Sequence, residues 1–72
     1  MVRETLPTVD VDPARHSNLA SAQQLVRGAW EKVDAAQVAN GHALGGHAAR
    51  AKELLVQAGN ELGLAADTAD RR

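Results

Sequence analysis

A chain of 72 residues with eight Lys and Arg against nine Asp and Glu is close to neutral, and it has no cysteine. That length makes one domain at most, with a small core. The charge balance leaves no basic face to neutralise a run of phosphates, and the lack of cysteine removes disulfides and thiolate metal sites, which fits a reducing compartment.

The apolar set is fifteen Ala, eight Leu and seven Val, with no Ile, Phe or Tyr and a single Trp. Alanine has the best helix propensity, and a sheet protein would favour the β-branched and aromatic residues this chain lacks. The expected fold class is all-α. Residues 1–16 contain both prolines and no helical or strand period, which reads as a flexible N-terminal tail. Met1 to Leu6 lacks the apolar run of a signal peptide, and no stretch reaches membrane-spanning length. A cytoplasmic location without membrane contact is the expectation.

Two helix starts compete. Asp12-Pro13 pairs a side-chain acceptor with a residue that needs no amide hydrogen, and Ser17 offers a second cap ahead of Leu19. Ser17 is favoured, with a frayed turn from Pro13 as the alternative. From there Leu19, Ala22, Val26, Ala29, Val33 and Ala36 recur at spacings of three and four. The expected first helix covers residues 17–40. Asn40-Gly41 is a natural stop, because glycine takes the left-handed conformation that ends many helices. A turn over 41–46, with Gly45-Gly46 allowing reversal, leads to a second helix over 47–69. Its seam is Ala48, Ala51, Leu55, Ala58, Leu62, Ala65 and Ala69.

The short connection makes these two long helices antiparallel neighbours, a helical hairpin over residues 17–70. Large residues then face alanines, so the backbones can approach closely. Two registers satisfy this, one pairing Val33 with Ala51 and the other Val33 with Ala58. Either sets Trp30 across from Gly59, which clears room for the indole or is merely tolerated at the surface. Gly28 and Gly63 have no such reason and should soften the helices.

Candidate chemistry is sparse. Ser17 and Ser21 lie a helix length from the turn histidines, so no nucleophile–base pair is expected there, and two close-packed helices offer no deep pocket. The expectation is a non-enzymatic chain without a cofactor. The helices are long and neutral, unlike a DNA-reading helix-turn-helix, so nucleic acid is not an expected partner. Leu25 and Leu54 flank the seam on one shared side, whereas Val56 and Leu64 point away. A second buried stripe from Leu25 and Leu54 could pair two hairpins as a homodimeric four-helix bundle or receive another protein. Trp30 joins them as an interaction candidate, since Trp is enriched at interface hot spots. Capping the hairpin's own core is the other reading of Trp30. Gly41-His42-Ala43 and Gly46-His47-Ala48 place two imidazoles in one turn, so His42 and His47 are the candidate ligands for zinc, copper or nickel. Structural and catalytic sites want three or four ligands. Solvated surface positions are the competing explanation.

The phrases HSNLASAQQLV, KVDAAQVAN and GGHAARAKELLVQAGNELGLAA, spanning His16 to Ala66, resemble a group of small proteobacterial proteins without an assigned activity. The resemblance implies a helical hairpin and a bacterial origin, and no mechanism. Ser17 stands where that pattern commonly has Pro, and Ala43 where an acidic residue often precedes the apolar residue of the turn. The Gly-His-Ala turn leading into an Ala-Lys-Leu helix is also similar to small histidine-rich metal-binding proteins of bacteria. That likeness spans about ten residues, and it implies a weak divalent-metal site at His42 and His47.

Overall fold

The computed structural model describes residues 10–71, which hold two helices: α1, Ser17–Ala39, and α2, His47–Asp70. They pack as an antiparallel hairpin, with no strand among the described residues.

Both candidate helix starts are used, in tandem. Asp12 Oδ1 accepts the Ala14 N–H at 2.9 Å, and the Asp12 carbonyl accepts the N–H groups of Arg15 and His16 at 3.1 and 2.9 Å. This is a single capped turn over Pro13 to Arg15. α1 begins one step later. Its cap position is His16, whose carbonyl accepts Ala20 N–H at 2.9 Å, and Ser17 is the first helical residue rather than the cap.

The other end of α1 closes as the Asn40-Gly41 pair suggests. Gly41 N–H donates to Val38 O at 3.1 Å and His42 N–H to Gln37 O at 2.7 Å, the paired bonds of a Schellman motif. Gly41 has φ 58°, His42 φ 62° and Gly45 φ 67°, so three left-handed residues make the reversal, one of them a histidine.

Two cross-helix contacts set the register. Asp34 meets Lys52 at 2.8 Å, and Gln23 Nε2 donates to Gly59 O at 3.1 Å. Position 33 therefore lies close to position 51, and the pairing of Val33 with Ala58 is excluded. Gly59 faces Gln23, not Trp30, which corrects the idea that this glycine makes room for the indole.

The buried stripe is also displaced from the heptad seam. Ala20, Gln23 and Trp30 are buried on α1, and Gly59, Gly63 and Ala66 on α2. Val26, Val33, Leu55 and Leu62 remain half-buried, whereas Ala29, Ala58, Ala65 and Ala69 are exposed. On each helix the centre of burial has moved about one residue onward. The cause is a third layer. Val11, only 6% exposed, forms a core cluster with Ala20 and Ala66, against which Leu19 packs. Asp10 pairs with Arg27, and Arg15 and His16 reach Asp70. Residues 10–16 thus run back over one flank of the hairpin as a strap. That part of the expected tail is packed; residues 1–9 lie outside the described residues.

Gly63 also departs from expectation. It is buried, as is Gly59 four positions before it on α2, where Gln23 reaches the backbone carbonyl. Gly28 is exposed, with open space where a Cβ would stand.

Candidate functional site

Three groups of side chains are candidates, and the helix geometry places each. The first is the apolar set. Leu25 is 75% exposed and Leu54 54%, while Trp30 is 8% exposed. The proposed trio is split, two outside and one inside. At 3.6 residues per turn, Leu25 stands about 160° around α1 from Gln23, and Leu54 about 140° around α2 from Gly59. Both leucines face away from the strap. The displaced stripe explains why they are so bare: rotating each helix toward the strap turns its opposite flank toward water. Val56 is half-buried rather than turned away from the seam, and Leu64 is exposed.

Trp30 belongs instead to a polar knot in the seam. Lys52 Nζ sits 4.4 Å from the centre of its ring, a cation–π distance, while donating to Asp34 Oδ1 at 2.8 Å and Gln37 Oε1 at 2.9 Å. Asp34 and Gln37 lie three apart on one face of α1, with Trp30 four before Asp34. One ammonium therefore ties three side chains of α1 to α2. The indole N–H is buried without a hydrogen-bond partner among the described residues, which costs about 1–3 kcal/mol against the contacts the ring makes.

The second group is the pair of turn histidines. His42 follows Gly41 in the left-handed region, and His47 is the first residue of α2. Both are exposed. The described residues contain no group of three or more His, Cys, Asp or Glu side chains placed to hold a metal ion. Two imidazoles five positions apart are what the turn offers.

The third group was not anticipated. Asp70 Oδ1 accepts from His16 Nε2 at 2.7 Å and pairs with Arg15 at 3.3 Å. The His16 hydrogen bond, helped by the charge of Arg15, holds the Asp70 carboxyl below its usual 3.8. Asp70 is the last residue of α2, where the helix dipole disfavours an anion, so these donors offset a local penalty. A signal existed in the sequence: a turn over 41–46 folds the chain so that position 16 comes level with position 70.

Gln23, the bridge between strap and α2, was likewise unread. It is 2% exposed; its Oε1 accepts Val11 N–H at 2.8 Å and its Nε2 donates to Gly59 O. A glutamine at a position flanked by seam residues looks like a surface residue until the strap is known.

No protein-family model, curated protein or solved structure matches this chain.

Proposed function

We propose that this chain is a small non-enzymatic interaction module that binds through the side of the hairpin opposite the strap. The observation that supports it most is the exposure of Leu25 and Leu54 on the flank that the rotated helices leave uncovered. Two bare leucines on one side of so small a body are natural anchors for a partner helix. Trp30 acts from within in this reading, holding α1 against α2. The partner is a second hairpin or another protein. A bacterial cytoplasm is the proposed setting, supported by the cysteine-free composition and by the resemblance to small proteobacterial proteins.

Sedimentation of the wild type against Leu25→Glu and Leu54→Glu tests the self-association form, and capture from a bacterial lysate with the same three baits tests the other. Association lost in both variants, with helicity kept, supports the reading. A monomer that captures the same proteins with or without the leucines overturns it. Trp30→Ala is a poor probe, because truncating a buried Trp costs about 3–5 kcal/mol and threatens the fold itself.

The second reading is a weak site for a divalent metal at His42 and His47, favoured by their shared exposure at one end of the molecule. Calorimetric titration with nickel, copper and zinc, on the wild type and on the His42→Ala/His47→Ala double variant, separates it from the first.

A further inference from the structure

Burial in the hairpin is lopsided. The buried apolar side chains are Val11, Ala20, Trp30 and Ala66, and no leucine among the described residues is buried. On α1, Ala20 and Arg27, which meet the strap, stand to one side of Gln23. At 100° per residue, Val26, Val33 and Ala29 stand about 60–120° to its other side. On α2, Leu62, Ala51 and Ala58 stand about 60–100° from Gly59 in the same sense. A half-turn about the normal to their plane relates two antiparallel helices, so the same sense of rotation marks the same face. The 3–4 periodic seam therefore lies on the face away from the strap. Val26, Val33, Leu55 and Leu62 are half-buried there and Ala29 and Ala58 exposed. Each helix presents its alternation of large and small residues on a face that no described residue covers.

That face has the size of half an interface. The helices run side by side for about 35 Å at 1.5 Å per residue, and two helices about 8–10 Å apart present a strip about 18 Å wide. The strip is about 600 Å² per copy, so two copies together remove about 1,200 Å² from water, which reaches the range of specific, stable interfaces.

Its pattern fits itself. The Gln23–Gly59 and Asp34–Lys52 contacts set positions 26, 29 and 33 close to level with 58, 55 and 51. A two-fold axis parallel to the helices keeps those levels and lays α1 of one copy on α2 of the other. Val26 then faces Ala58 of the second copy, Ala29 faces Leu55 and Val33 faces Ala51, a large side chain against an alanine in each layer. A different protein needs a separately matched spacing; a second copy has it by symmetry. We infer that the hairpin is half of a homodimeric four-helix bundle, closed by the Val26–Val33 face of α1 on the Leu55–Leu62 face of α2 from a second copy. Leu25 and Leu54 border that contact on one edge, so the bundle rests on the reading of their flank as the binding side and gives it an occupant. The strap stays on the outside.

Sedimentation equilibrium of the full chain, over about a hundredfold range of concentration, tests the bundle. Ala29 is exposed in the middle of the face, and Ala35 is exposed on the strap's side of α1. Wild type and Ala35→Glu should have twice the chain mass. Ala29→Glu should dimerise at least a hundredfold more weakly, with its circular dichroism unchanged. The chain has no cysteine of its own, so oxidising a mixture of Val26→Cys and Ala58→Cys chains should give the mixed disulfide in preference to either homodisulfide. A wild type of single-chain mass throughout overturns the bundle. So does an Ala29→Glu dimer as tight as wild type, or oxidation that yields homodisulfides alone. If the wild type is a single chain that captures a lysate protein lost in Leu25→Glu and Leu54→Glu, the second copy falls and the binding side stands. If it captures nothing through those leucines either, both fall.

Discussion

Alanine in place of Gly28 and of Gly41 should move stability in opposite directions. At Gly28 a Cβ meets nothing within 4 Å and the backbone is helical, so Gly28→Ala should add about 1 kcal/mol. At Gly41 the space is equally open, but φ is 58°, so Gly41→Ala should cost about 1–2 kcal/mol through the backbone alone. Urea midpoints of the two variants check both signs. Gln23 is a third case. Gln23→Ala leaves the Val11 N–H and one acceptor site of Gly59 without this partner, and it should cost about 2–3 kcal/mol. Gln23→Glu should be worse still, since it keeps the acceptor for Val11 but aims a carboxylate oxygen at the Gly59 carbonyl.

Element boundaries were legible because they are written in local chemistry. Asn40-Gly41 ends α1 through its Schellman bonds, and the helices, Ser17–Ala39 and His47–Asp70, agree with the periodicity within a residue at each end. The choice of buried residue along each helix was not legible. Ala22 and Gln23, or Ala58 and Gly59, differ by only 100° of rotation, and the buried member of each pair lies under the strap, which has no period of its own. Within α2, Asp70 makes stability respond to acid. Its folded carboxyl titrates below 3.8, the value expected in an unfolded chain, so its contribution is complete above about pH 5. It fades as pH falls through the unfolded and then the folded value. Asp70→Asn should therefore narrow the gap in thermal midpoint between pH 6 and pH 3, measured by circular dichroism. An unchanged gap would show that His16 and Arg15 do not stabilise the charged form.

At the scale of the whole molecule, two helices and a strap share one small core. The strap contributes Val11 and almost no helix, so Val11→Asp should lower the urea midpoint while leaving the helical signal at low temperature nearly intact. Loss of helicity in that variant would mean that the hairpin cannot close without its third layer. Of the candidate residues, the exposed leucines were readable from their offset to the seam, and the turn histidines from their spacing. Trp30 was not placed by sequence, because a lone Trp on a helix flank reads equally as anchor or as filler. Only the reach of Lys52 across the seam decides it.

The knot around Trp30 has a practical consequence. Tyrosine and phenylalanine are absent, so all near-ultraviolet emission of this protein arises from one indole. That indole rests beside an ammonium whose position depends on Asp34 and Gln37. Its colour and brightness therefore report whether the two helices are in register, without any label, and a slip of one turn along the seam would be visible as a change of spectrum before any helix is lost.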